Sequence, residues 1–208
     1  MKKILALFLT SILTAGVFAQ TLSLKSVCEG LSKTPNTTGD FLQIKTVNST
    51  GRQLKSSGKF IIAKEGIMWK TLKPFPSSLV ITEKAMIQTA GDGTKTVMNG
   101  SDNQIFQNIA QTLSSVFAGN SETLEKNFEV DFKDAEAGKW IVVLTPKDST
   151  IGSVMKTLTL EGSISSANVI LNSLELSEAS NNKIRYEFSN QNYPKELTAD
   201  EKANFTIN

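Results

Sequence analysis

Residues 58–89, GKFIIAKEGIMWKTLKPFPSSLVITEKAMIQT, constrain this chain more than any other stretch. Short runs of β-branched, aromatic and apolar residues at 58–64, 67–71, 79–83 and 85–89 are parted by Glu65-Gly66, by Pro74-Phe75-Pro76 and by Lys84. Such runs between turn residues read as successive strands of an antiparallel meander. An antiparallel sheet leaves one face to water, so its other face must be covered. Phe60, Ile62, Trp69 and Val80, or their alternates along each strand, are assigned to that covered face. What covers it is the functional question.

The flanking text continues in the same style. Residues 38–47 alternate as a first strand, and Gly91-Asp92-Gly93 forms a tight turn into a strand at 94–98. Asp92 is a turn residue here, because a calcium loop needs several spaced oxygen ligands and this turn offers one carboxylate. From residue 128 onward strands are expected at 128–132, 140–145, 157–161, 168–176 and 183–188. In the last of these Ile184, Tyr186 and Phe188 alternate with Lys183, Arg185 and Glu187.

Helices are few. Leu24, Val27, Cys28 and Leu31 recur at helical spacing over residues 21–33, before Pro35. Ser101 with Gln104 forms a capping box for a second helix, and Ile105, Phe106, Ile109, Leu113, Val116 and Phe117 give it a wide apolar stripe that Gly119 stops. Ser121 caps a further short turn, and the tail holds a turn of helix from Thr198 toward Glu201 and an edge strand at 205–207. Many short strands with two or three helices predict mostly antiparallel β with covering helices, an α+β chain.

Met1-Lys2-Lys3 followed by an apolar run to Phe18 and small residues at Val17 and Ala19 predicts a secretory signal peptide over 1–19, cut before Gln20. Residues 20–208 then form one domain. Removing residues 1–19 takes away Lys2 and Lys3 and no acid, leaving 20 basic residues against 20 acidic ones. An even balance without a Lys/Arg run carries no footprint for nucleic acid or an anionic membrane. The lone cysteine, Cys28, is too far from the apolar run to be a lipidated terminus and reads as a small core residue.

The chain has no histidine, which removes Ser-His and Cys-His nucleophiles, His-containing zinc sites and imidazole acid/base chemistry. No phosphate-loop or dinucleotide motif is present. Glu65, Glu83, Asp131 and Asp134 could formally pair as catalytic carboxylates, but acids beside Lys and Gly at strand ends are ordinarily solvated. No catalytic residue, metal site or cofactor is therefore assigned, and the protein is expected not to be an enzyme.

The order of features resembles the periplasmic lipoprotein-carrier (LolA) family. The resemblance rests on Phe41-x-Gln43, Ser57-Gly58-x-Phe60, Trp69, Pro74 and Trp140-x-x-x-Leu144-x-Pro146-Lys147, in that order over residues 38–190. It implies an unclosed antiparallel β-barrel, a half-barrel with a helical lid, whose concave apolar face shields acyl chains. The carried-over cavity positions are Phe60, Ile62 and Trp69, with Val80 on the sheet and Phe106, Ile109 and Leu113 on the helix above. The family's basic lid residue, usually Arg before Pro, corresponds to Lys64 before Glu65, and a lysine lacks the forked contact of a guanidinium. The implied partners are acylated lipoproteins, an inner-membrane releasing transporter and an outer-membrane acceptor, with no nucleic acid, for a monomer in the periplasm. A carrier of another lipid or glycolipid, or a lipid-sensing regulatory domain, fits the same scaffold.

Overall fold

The structure, a computed structural model, describes residues 22–82, 84–99, 112, 114–135, 137–165 and 168–206. The predicted signal peptide and most of the helix expected from Ser101, with Phe106, Ile109 and the Leu113 side chain, lie outside these residues. So does Glu83.

One antiparallel sheet of eleven strands organises the molecule. The first six strands are β1 (Thr37–Val47), β2 (Arg52–Ala63), β3 (Gly66–Lys73), β4 (Ser77–Ile81), β5 (Ala85–Thr89) and β6 (Lys95–Asn99). The remaining five are β7 (Phe128–Ala135), β8 (Lys139–Pro146), β9 (Met155–Ser165), β10 (Asn168–Glu178) and β11 (Lys183–Asn192). Their order in space is β6-β5-β4-β3-β2-β1-β11-β10-β9-β8-β7, so two meanders are joined edge to edge through β1 and β11. The edges β6 and β7 do not pair, and the sheet is not closed into a barrel. The expected fold class is what the chain adopts.

Helix α1 (Leu24–Ser32) begins where Ser23 accepts a hydrogen bond from the Ser26 N–H at 3.2 Å, while the Ser26 hydroxyl donates back toward Ser23. Its apolar stripe of Leu24, Val27, Cys28 and Leu31 is buried against the sheet. Gly30 sets how close it lies to β10, because a Cβ there would come 2.1 Å from Val169 Cγ2. Gly119, at φ +78°, ends the helical turn at residues 114–117 as its sequence position predicts. Helix α2 (Ser121–Asn127) is capped by Asn120, one residue before the expected Ser121, because the Asn120 side-chain Oδ1 accepts from the Thr123 N–H at 3.0 Å. A one-turn helix α3 (Ser149–Gly152) was not expected. Asp148 induces it by accepting from the Thr150 and Ile151 N–H groups at 2.8 and 3.1 Å. Helix α4 (Ala199–Ala203) has the predicted Thr198–Glu201 capping box.

The main core lies on the concave face beneath α1, α2 and Val116, with Trp140, Leu144 and Met155 wholly buried. On the outer face Glu161 takes Arg185 at 2.8 Å and Glu175 takes Lys183 at 3.1 Å, so the wet side of β9, β10 and β11 is an ion ladder. A second, smaller core sits on that outer face further along the sheet: Ile61, Met68, Val80 and Ile87 under Leu197 and Phe205. Phe205 is therefore not the predicted edge strand. The tail folds over the sheet because β2 to β5 are apolar on both faces.

Burial pushes the Cys28 thiol up to about 11, with Glu125 and Glu29 adding to it. Its folded value exceeds its unfolded one, so the stability it contributes is complete below pH 9 and is lost as pH rises toward 11. Replacing Cys28 by Ala should remove roughly 2–3 kcal/mol of this alkaline loss, read as the flattening of unfolding free energy between those pH values. A thiol reagent should label wild type at pH 8 only in denaturant.

Candidate functional site: an apolar cavity opening at the β2–β3 turn

The register of β2 and β3 places Phe60 opposite Trp69 and Ile62 opposite Ile67, all on the concave face. Across β1, Gly39 stands opposite Phe60 and leaves room for its ring. The Phe188 ring packs against that of Phe60, 4.7 Å away between centroids. Phe41 and Trp69 approach Tyr186 at 5.8 and 5.7 Å between centroids. Three stretches far apart in sequence thus make one aromatic wall.

Two spaces that share wall residues lie against this wall. The inner one is a narrow crevice with only about 10 Å³ free, bounded by Leu31, Phe60, Ile62, Phe117, Val169, Leu171 and Phe188, with Thr34, Thr37, Gln191 and Tyr193 at its end. Those polar groups are largely consumed internally: Gln191 donates to the Leu171 carbonyl at 2.7 Å and accepts from the Tyr193 hydroxyl at 3.1 Å. The outer space, about 940 Å³ including its open mouth, runs between the β2–β3 turn, the end of α1 and residues 114–118. Ile62 and Phe117 belong to both walls. Lys64 and Glu65 stand at the rim. Gly66 makes the turn possible, since at φ +146° a Cβ would lie 2.1 Å from the Ile81 carbonyl oxygen.

The surroundings are hostile to charge. Burial alone raises the Tyr186 hydroxyl to about 12. Among the described residues the buried indole N–H groups of Trp69 and Trp140 have no acceptor, and each unmade hydrogen bond costs about 1–3 kcal/mol. Neither indole lines the two spaces, whose walls are mostly apolar side chains, and walls of that kind favour hydrocarbon over water.

Of the residues expected from sequence, Phe60 and Ile62 line the inner space and Trp69 stands beside them on the same face. Val80 does not join them. It pairs with Met68 and Ile87, whose side chains point to the outer face, and packs under Leu197 and Phe205. Phe106, Ile109 and Leu113 fall outside the described residues. Lys64 is on the β2–β3 turn, with no ion pair or hydrogen bond among the described residues. Glu65, Asp131 and Asp134 are exposed, and Asp131 pairs with Lys133 at 3.1 Å, so these acids do not face one another across a cleft. No group of three metal-ligating side chains occurs among the described residues. The walls supplied by Val169, Leu171 and Phe188 were not singled out, because only the antiparallel pairing of β11 with β1 brings them to β2.

The sequence matches the profile of the outer membrane lipoprotein carrier protein LolA over residues 32–206. The chain belongs to the LolA family. The match spans every strand and the tail that covers the second core, so the LolA fold accounts for both faces of the sheet. Among solved structures, a DUF1329 family protein from Desulfovibrio piger superposes at a TM-score of 0.50 with 9% identity, covering 88% of this chain and 95% of that one. A domain described as an outer membrane lipoprotein-sorting protein domain, from Vibrio parahaemolyticus, gives 0.47 with 7% identity, covering 87% and 97%. No curated protein matches the sequence. At such identity the first likeness speaks for the fold alone. The family's motif residues have structural work in this chain: Trp140 and Leu144 are wholly buried, and Lys147 donates to the Glu125 carbonyl at 2.6 Å. Members of the LolA family are lipid- or lipoprotein-binding carriers, and an open sheet with an apolar interior is a scaffold for that kind of binding.

Proposed function

We propose that the protein is a periplasmic carrier that takes the acyl chains of lipoproteins into the concave cavity and moves them from the inner toward the outer membrane. The observation that carries this reading is the pair of apolar spaces that share Ile62 and Phe117 as wall residues, the outer one opening beside the β2–β3 turn, in a LolA-family chain. Each acyl methylene removed from water contributes about 0.8 kcal/mol, so a multiply acylated anchor needs a protein interior to cross an aqueous compartment. Phe60, Ile62 and Trp69 contact the chains, and Lys64 at the rim governs access to the mouth. Residues 20–208 act as one domain, exported through the leader at 1–19, and the protein binds rather than transforms its cargo. The donor is an inner-membrane transporter and the acceptor an outer-membrane protein.

A fluorescent fatty-acyl probe titrated into the exported protein is expected to bind saturably in the presence of chelator and without nucleotide. Mass spectrometry of the natively purified protein should find lipoprotein-type acyl anchors; free phospholipid or glycolipid alone would reassign the cargo. Absence of saturable probe binding to folded protein would end the carrier reading.

A further inference from the structure

The even charge of the whole chain conceals a division that the topology turns into geometry. Residues 51–99, which build β2 to β6, hold eight basic and three acidic residues, a formal +5. Residues 120–206, which build β7 to β11, hold nine basic and fourteen acidic residues, a formal −5. Because β2 to β6 are consecutive in the sheet, the positive charge occupies one half of the molecule and the negative charge the other. The two halves also differ in pairing. In the acidic half Arg185, Lys133, Lys183 and Lys202 all meet carboxylates. Of the eight cations of the basic half, Lys59 alone meets an acid, Asp40, among the described residues.

At one end of this half stands Phe75, 82% exposed between Pro74 and Pro76. Two prolines limit the corner's conformations, so the ring is held out and loses little freedom on binding. The β5–β6 turn packs beside it, since a Cβ on Gly91 would lie 2.8 Å from the Pro76 carbonyl oxygen. Lys73 ends β3 next to the corner, and Lys95 opens β6 opposite Thr89 at the same end. Leu72 and Leu54 are exposed there as well.

We propose that this end of the basic half, with Phe75 at its tip and Lys73 and Lys95 beside it, docks the protein on an anionic lipid bilayer. A protruding aromatic ring beside cations that meet no acid among the described residues matches a surface whose headgroups are anionic and whose hydrocarbon lies a few ångströms beneath. A protein partner would more typically be met by a pocket or groove that takes its anchor residues. The unequal halves orient the molecule, the acidic one turned away from the membrane. The inference is independent of what the cavity carries.

The test uses the exported protein, without residues 1–19, and vesicles of phosphatidylglycerol with phosphatidylcholine or of phosphatidylcholine alone. Wild type is expected to sediment with the anionic vesicles at low salt and to be released by 0.5 M salt or by the neutral vesicles. Phe75→Ser should weaken partition roughly tenfold, and Lys73→Glu with Lys95→Glu more than tenfold, since each basic residue near such a surface is worth about fivefold. Both variants should keep the wild-type melting temperature and acyl-probe saturation, which separates failure of docking from failure of the carrier reading. Phe75→Trp should show blue-shifted emission, quenched by brominated lipid, on anionic vesicles only. The proposal is overturned if wild type ignores anionic vesicles, which would leave the patch to an acidic protein partner. It is equally overturned if Phe75→Ser binds as wild type does, or if the Phe75→Trp emission stays that of a water-exposed indole.

Discussion

Phe117→Asp is expected to lower affinity for an acyl probe by at least a hundredfold while leaving a cooperatively folded protein. Phe117 is only partly buried but stands in the walls of both the inner and the outer space, where a chain passing between them must touch it. A carboxylate in this shared wall must lose its water when hydrocarbon arrives, and an unpaired charge buried in this way costs several kcal/mol. In the empty protein the same carboxylate can turn to the open mouth, so stability should fall by less than the roughly 3–5 kcal/mol of a packed Phe→Ala change. Phe117→Ala should enlarge the space at this shared wall and leave affinity within about tenfold of wild type. Fluorescence titration and urea unfolding on the same samples decide the matter. Normal probe binding by the Asp variant would place the acyl chain somewhere other than this passage.

The largest loss of stability is expected at the pairing of Trp140 with Gly162. The two residues are opposite one another on β8 and β9, and the indole lies across the glycine. A Cβ on Gly162 would stand 2.0 Å from Trp140 Cζ2 and 2.2 Å from the Ile170 carbonyl oxygen on β10. Gly162→Ala therefore cannot be absorbed by one rotamer change and should cost about 3 kcal/mol or more. Trp140→Ala, emptying a fully buried site, should cost about 3–5 kcal/mol. With a urea m-value near 2 kcal/mol/M, either change shifts the midpoint by about 2 M. The double variant Gly162→Ala with Trp140→Phe should recover only part of the loss, because the Ile170 carbonyl remains in the way. Full recovery would show that the indole, and not the neighbouring backbone, sets the requirement for glycine.

The strands, the cap at Thr198, the stop at Gly119 and the absence of histidine chemistry are local or compositional properties. The sequence alone determined them, because alternation, capping and turn formation are settled by residues within a few positions of one another. The antiparallel class followed from the same signals, and the open barrel from the family resemblance. The face of Val80 did not. In β2 to β5 the runs FIIA, IMW and LVI are apolar at both parities, and such runs do not say which side meets the interior. A second cover was implied by that double apolarity, but only the fold shows that the tail supplies it, with Leu197 and Phe205 from more than a hundred residues away.

The cavity divides in the same way. Phe60, Ile62 and Trp69 were visible as neighbours in one meander, whereas Phe188, Leu171 and Val169 reach them only through the β1–β11 ladder that joins the two meanders. Charge is the clearest case. The composition is balanced, and the count by segment is plain in the sequence, yet its meaning depends on strands 2 to 6 being consecutive in space. Hydrogen-bonded order within a sheet is a long-range property, decided by which edges find each other, and it converted a neutral chain into one with a basic and an acidic half.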